Sequence, residues 1–232
     1  MARNSRRSSF VKRTYEDIYK KELEDSPEEA RLKAQSIISG HVRKLPDDAV
    51  YLGIGAGRGF LEATIYNNLK RLKRVILLDF AERKPLIKRT EAKGEVRKPN
   101  VVNLVADAQV LPVEGNSVDI ISNQFTHDFT DDPDTAAREM HRVLKPGAKA
   151  VVFLHHPNMF AAWDDSLQSP KPDVEEFWRQ LVEEKRIFST EEEIRRHFSQ
   201  HGFEIETVEE HVPTPKENPG NYWWEVILSK RK

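Results

Sequence analysis

Five short stretches of this chain are apolar almost from end to end, and helical patterns separate them. No other feature constrains the fold as much. The stretches are "AVYLGI" (49–54), "RVILLD" (74–79), "VVNLV" (101–105), "VDIIS" (118–122) and "AKAVVFL" (148–154). A strand reads as a continuous apolar run when both of its faces are covered, which is the condition of a parallel sheet between two helical layers. Between the runs lie helix signals. Ser26, Pro27 and Glu29 open a segment (25–42) whose Ala30, Ala34, Ile37, Ile38 and Val42 share one face. Leu61, Ile65, Leu69 and Leu72 repeat at helical spacing. Asp132–Pro133 starts a helix carrying Ala136, Met140, Val143 and Leu144, which "KPG" (145–147) stops.

The tail differs. Ser189–Glu192 reads as a capping box whose helix turns Ile194 and Phe198 inward and ends at Gly202. "FEIETV" (203–208) and "YWWEVILS" (222–229) follow, separated by a segment with Pro213, Pro215 and Pro219. That connection is too short and too proline-rich for a crossover helix, so the two strands are expected to pair antiparallel at the sheet end. The expectation is an α/β fold: a doubly wound, mostly parallel, seven-stranded sheet with an antiparallel C-terminal strand pair.

Composition narrows the function. The 232 residues hold 37 Lys+Arg against 38 Asp+Glu, so the net charge of −1 argues for no polyanion partner overall. There is no Cys, which excludes a disulfide framework, a thiolate metal site and a Cys nucleophile. No apolar run is long enough to cross a membrane. The start, "MARNSRRSSFVKR", is basic without an apolar core and does not read as a secretory signal, so a cytoplasmic location is expected. The arm is either a solvated tail or a nucleic-acid contact made by Arg3, Arg6, Arg7, Lys12 and Arg13.

The glycine-rich turn "YLGIGAGRGF" (51–60) leaves the first strand. At the carboxyl end of such a strand, small residues let a ligand approach the backbone, and the next helix presents free N–H groups. The dinucleotide spacing G-x-G-x-x-G fails, because Arg58 and Phe60 occupy the third-glycine position in the two registers; Gly53, Gly55 and Gly57 fit G-x-G-x-G. Tight packing without a ligand remains the competing explanation of the turn.

In this turn, in "RVILLDFAE", in "VVNLVADAQVLPVEGNSVDIIS" and in "AAREMHRVLKPGAKAVV", the chain resembles the class I S-adenosylmethionine-dependent methyltransferases of the small-molecule type. The resemblance covers roughly residues 45–155, with four motifs in order. It implies S-adenosylmethionine as cofactor and assigns roles. Gly53, Gly55 and Gly57 make the turn, and backbone carbonyls near Gly53 and Asn123 take the ammonium. Asp79 at the end of the second strand accepts from the ribose diol, as against a plain strand-end Asp. Asp107 takes the adenine amino group and Ala108 N–H a ring nitrogen, as against an ordinary Asx turn. Phe80 covers the adenine or sits in the core. The family's acidic residue two positions before the first glycine is Tyr51 here, which removes the usual indirect charge contact to the ammonium. "TYEDIYKK" (14–21) resembles the helix that closes over the cofactor, with Tyr15 or Tyr19 as the closing ring.

Methyl transfer to oxygen or to a protonated amine calls for a base. His127 beside Asp128, and His155 or His156 at the end of the fifth strand, are the candidates, each set against a structural hydrogen bond. These histidines lack the usual ligand spacing, and no metal is expected. Residues of about 155–190, with Met159, Phe160, Trp163, Phe177 and Trp178, form a lid-like insertion or simply pack a helix onto the domain.

Residues 1–24 are thus expected to form a basic arm and the start of a capping helix, and 25–232 a methyltransferase domain acting on an O or N of a small molecule. The alternatives are an RNA or protein methyltransferase served by the basic arm, or a catalytically silent methyltransferase-like scaffold. A nicotinamide-dependent oxidoreductase is disfavoured by the glycine spacing.

Overall fold

The computed structural model describes residues 28–80, 100–158, 172–212 and 222–232. The arm with Tyr15 and Tyr19, the residues Met159, Phe160 and Trp163 of the expected lid-like insertion, and the prolines 213, 215 and 219 lie outside them.

Seven strands form one sheet in the order β3-β2-β1-β4-β5-β7-β6. They are β1 (Val50–Ile54), β2 (Arg74–Asp79), β3 (Asn100–Val105), β4 (Val118–Gln124), β5 (Leu144–His155), β6 (Phe203–His211) and β7 (Trp223–Lys230). The first five pair parallel, while β7 runs antiparallel to both β5 and β6. The sheet is therefore the mostly parallel, seven-stranded one that the apolar runs predict, with the antiparallel pair at its end. The order reverses beside β1, with β2 on one side and β4 on the other. In open α/β sheets the ligand crevice lies outside the carboxyl ends of strands at such a switch point.

Each face of the sheet carries a hydrophobic cluster among the described residues. One buries Leu52, Ile54, Ile121, Val152 and Leu228 against α4 (Pro133–Val143) and α6 (Glu191–Ser199), which follows the helix α5 (Pro172–Glu183). The other buries Tyr51, Val75, Leu77, Ile120 and Phe153 against α1 (Glu28–Val42), α2 (Phe60–Thr64) and α3 (Tyr66–Leu69). Alternate residues of β1 thus serve different layers, which explains why that strand shows no polar phase.

Three local expectations shift. The periodicity of Leu61–Leu72 predicts one helix, but the chain breaks it at Ile65 (φ −95°, ψ 12°) into α2 and α3. The β-branched pair Thr64–Ile65 marks the break, where Leu61 O accepts both from Thr64 Oγ1 at 2.6 Å and from Ile65 N at 3.1 Å, a shared acceptor of the kind that bends helices. "KPG" does end α4, yet it lies within β5: pairing jumps from Val118–Leu144 to Ile120–Lys149, so Lys145–Ala148 loop out as a bulge around Gly147 (φ +80°). The cap of α6 is one residue later than the Ser189–Glu192 reading: Thr190 accepts from Glu193 N at 3.2 Å, and Glu193 Oε2 accepts from Ser189 N at 2.8 Å.

The cap assignment is checked by urea unfolding. Thr190→Ala should lower stability by about 1 kcal/mol at unchanged m-value, and Ser189→Ala by only a few tenths.

Candidate functional site

An open cavity with about 560 Å³ of free space, part of it bulk solvent at its mouth, lies at the carboxyl ends of β1, β2 and β3. Ile54, Leu78, Ala106 and Ala108 are among its apolar walls, while Asp79, Asp107 and Gln109 line its polar side. Gly55, Phe80 and Phe129 also face it, with Thr126, Thr130 and Asp131 completing the far wall.

The glycine turn is folded by its own residues. Gly55, Gly57 and Gly59 have φ of +67°, +55° and +76°, a region that side chains other than glycine's enter only under strain. At Gly55 a Cβ would lie 1.7 Å from Thr126 Oγ1, so the turn and the 126–131 segment approach as closely as backbone allows. Gly57 N–H donates to Asp79 Oδ2 at 2.9 Å and Ala56 N–H to Leu78 O at 3.0 Å, which fastens the turn to the end of β2. Asp107 forms the Asx turn offered as its alternative: Oδ1 accepts from Gln109 N and Nε2, each at 2.9 Å. The residue nonetheless lines the cavity.

Beneath the turn is a feature the sequence reading did not foresee. The Tyr51 hydroxyl donates to Glu62 Oε1 at 2.8 Å and shares a 2.6 Å hydrogen bond with Ser122 Oγ. Glu62 is 1 % exposed, and its Oε1 lies 2.7 Å from where a Cβ of Gly53 would stand. Its Oε2 is buried without a hydrogen-bond partner among the described residues. Burial pushes the Glu62 carboxyl up to about 7, with the Tyr51 hydrogen bond opposing, and burial also holds the Tyr51 phenol well above its usual range. The acidic group that the sequence lacks at position 51 is thus delivered to the turn by α2. Glu62 was legible only as a charged residue on the apolar stripe of Ile65 and Leu69, three and seven positions on.

The four base candidates separate. Asp128 is fully buried, and its Oδ2 accepts from His155 N at 2.9 Å and from His155 Nδ1 at 2.8 Å. Phe125, Phe129 and Trp178 enclose the His155 ring, with centroids 4.8, 5.1 and 4.9 Å away. Phe125 reaches it because the backbone leaves β4 with φ +50°, a strained turn for a non-glycine residue. His127 does not pair with Asp128. Residues 127–129 form a single 3-10 turn that sends His127 into the core, 2.9 Å from His197 Nε2 through its own Nε2. Burial and the neighbouring His197 hold its basicity well below the ordinary range. His156 turns the other way, 3.1 Å from Glu210 Oε1 and stacked on Tyr222. Asn123 points its amide at Met140 Sδ, and Gly53 lies below the turn outside the cavity wall. Sequence assigned no role to Thr126, Phe129, Thr130 or Asp131; they reach the cavity through the turns that follow β4.

The cavity thus combines apolar walls with carboxylates able to accept hydrogen bonds from a polar ligand. A family model described as a methyltransferase domain matches residues 51–152. A ubiquinone/menaquinone biosynthesis C-methyltransferase, UbiE, of Shewanella sp. (strain ANA-3) is 33 % identical over 102 residues, which is 44 % of this chain and 41 % of the relative. The chain therefore spans about two fifths of the length of such relatives. Among solved structures, a SAM-dependent methyltransferase from Aquifex aeolicus has a TM-score of 0.58 at 18 % identity, covering 95 % of this chain and 97 % of that one. A Haemonchus contortus phosphoethanolamine N-methyltransferase 2, in complex with phosphomonomethylethanolamine and S-adenosylhomocysteine, has a TM-score of 0.61 at 16 % identity, covering 97 % and 58 %. At these identities the structures show a shared fold. Among the described residues no helix is long and apolar enough to cross a membrane.

Glu62 makes stability pH-dependent in the ligand-free protein. Its folded pKa of about 7 lies above the ordinary 4.5, so the folded chain keeps a proton that the unfolded chain releases. The contribution is full below pH 4.5, falls as pH rises to about 7, and is then constant. At about 1.4 kcal/mol per unit the fall is roughly 3 kcal/mol. Glu62→Gln should flatten that decline, as read from urea midpoints between pH 5 and pH 8.

Proposed function

We propose that this chain, whose residues 51–152 match a family model described as a methyltransferase domain, is a class I methyltransferase that binds S-adenosylmethionine and passes its methyl group to an oxygen or nitrogen of a small-molecule acceptor. The observation that carries this reading is one cavity at the strand switch point whose wall joins Gly55, Asp79 and Asp107 to apolar side chains.

In this reading Asp79 accepts from the ribose diol, its position set by the Gly57 N–H. Ala108 and Asp107 take the edge of the adenine, and Phe80 covers a face. Glu62, protonated or charged beneath the turn, sets the potential felt by a cationic tail passing over Gly53 and Gly55. When bound, S-adenosylmethionine supplies a methyl group on a positively charged sulfur, open to in-line displacement. The protein's task is then alignment, exclusion of water and removal of the acceptor's proton. In this reading His155 takes the last role. Its Nδ1 faces the buried Asp128 carboxylate, so Nδ1–H donates there and Nε2 is left as the basic nitrogen. Phe125, Phe129 and Trp178 shield it from water, and Phe129 belongs both to this enclosure and to the cofactor cavity.

Calorimetry with S-adenosylmethionine, S-adenosylhomocysteine and NAD tests the cofactor assignment. Both sulfur compounds should bind saturably and NAD should not. Asp79→Asn keeps an acceptor for Gly57 and should weaken binding by about tenfold, the worth of a charge-assisted hydrogen bond. Absence of binding leaves the silent scaffold. RNA retention that is salt-sensitive and lost on removal of residues 1–13 leaves the nucleic-acid enzyme.

The base assignment separates from cofactor binding. His155→Asn should lower kcat by about a hundredfold, with calorimetric affinity for S-adenosylhomocysteine unchanged. Full activity in that variant would remove His155 from the chemistry.

A further inference from the structure

The segment that walls the cavity at 126–131 has a second neighbour on its far side. Asp134, in the first turn of α4, faces His197 and His201 at the end of α6 and just beyond it. Asp134 Oδ1 lies 2.8 Å from His201 Nε2 and 3.5 Å from His197 Nδ1, and the three potential ligand atoms are within 4.8 Å of one another. The four-residue spacing of the histidines puts both rings on one face. In a tetrahedral zinc site with bonds of about 2.0–2.1 Å, neighbouring ligand atoms stand about 3.3–3.5 Å apart, so side-chain adjustments that close any pair by at most about 1.4 Å, shared between its two residues, suffice here. We propose that Asp134, His197 and His201 form a divalent transition-metal site of the zinc type, with water as fourth ligand.

Two further observations support it. His197 offers Nδ1 towards Asp134 while its Nε2 meets the buried His127 Nε2 at 2.9 Å. One proton serves that contact. Held on His197, it leaves the Nδ1 lone pair aimed at the site and makes His127 the outer partner that orients a ligating ring. Charge is the other. The side-chain partners of Asp134 among the described residues are the two imidazoles and the Gln200 amide, with no Lys or Arg pairing to it. The second cluster of this kind, Glu209, His211 and Glu225, already holds a cation: Lys33 Nζ is 2.7 Å from His211 Nδ1.

The metal would be a staple. Asp134 follows the cavity residue Asp131 by three positions, so the ion ties the cavity's wall to α6. It takes no part in methyl transfer, and the inference does not depend on the cofactor assignment.

Untagged, chelator-treated protein is titrated with Co²⁺ and followed by visible absorption. The expected result is one equivalent bound with the intense bands of four-coordinate Co²⁺, displaced by Zn²⁺. Asp134→Asn and His201→Gln should weaken binding at least tenfold, and His211→Gln should leave it unchanged. NMR of the wild-type protein gives the same answer without substitution: the His197 and His201 ring protons shift with paramagnetic Co²⁺, and those of His211 do not. Absence of saturable binding by the folded wild type overturns the proposal. So does retention of full affinity in the folded Asp134→Asn and His201→Gln variants, or shifts confined to His211.

Discussion

The hydrogen bond from Gly57 N–H to the Asp79 carboxylate fastens the first loop of the sheet to the mouth of the neighbouring strand. Parallel pairing brings the two together: Ile54 lies opposite Leu78, so the turn after β1 and the last residue of β2 emerge side by side. Positive φ at Gly55, Gly57 and Gly59 then lets the chain double back without a side chain in the way. The cavity, its carboxylates and its apolar walls all take their positions from that junction.

Below it lies a polar cluster in an otherwise apolar layer. Tyr51, Glu62 and Ser122 come from β1, α2 and β4 and satisfy one another, except for Glu62 Oε2. Burying a carboxyl with an unpartnered oxygen is costly, and the protein meets the cost by keeping it protonated up to about neutral pH. The strand carries a phenol at position 51, and the following helix brings the Glu62 carboxyl beneath the turn, its Oε1 2.7 Å from where a Cβ of Gly53 would stand.

The acceptor side follows a different logic. Asp128 and His155 are 27 residues apart in sequence and meet because β5 pairs beside β4. Their neighbours His127 and His156 turn away, into the His197 contact and onto Tyr222. Adjacency in sequence suggested His127 with Asp128. The 3-10 turn instead points the two side chains in different directions, and only one of them back towards β5.

The apolar runs, the glycine spacing and the strand-end acids were enough to determine a doubly wound sheet with a glycine-rich loop at its first turn, because local periodicity and backbone freedom act within a few residues. The sequence also displayed two histidines four apart near Gly202. What it did not contain is which distant groups meet. Glu62 under Tyr51, His155 on Asp128, and Asp134 facing a histidine 67 residues away are decided by strand order and helix packing. Those contacts join segments whose separation along the chain carries no periodic signal, so only the packed tertiary structure specifies them.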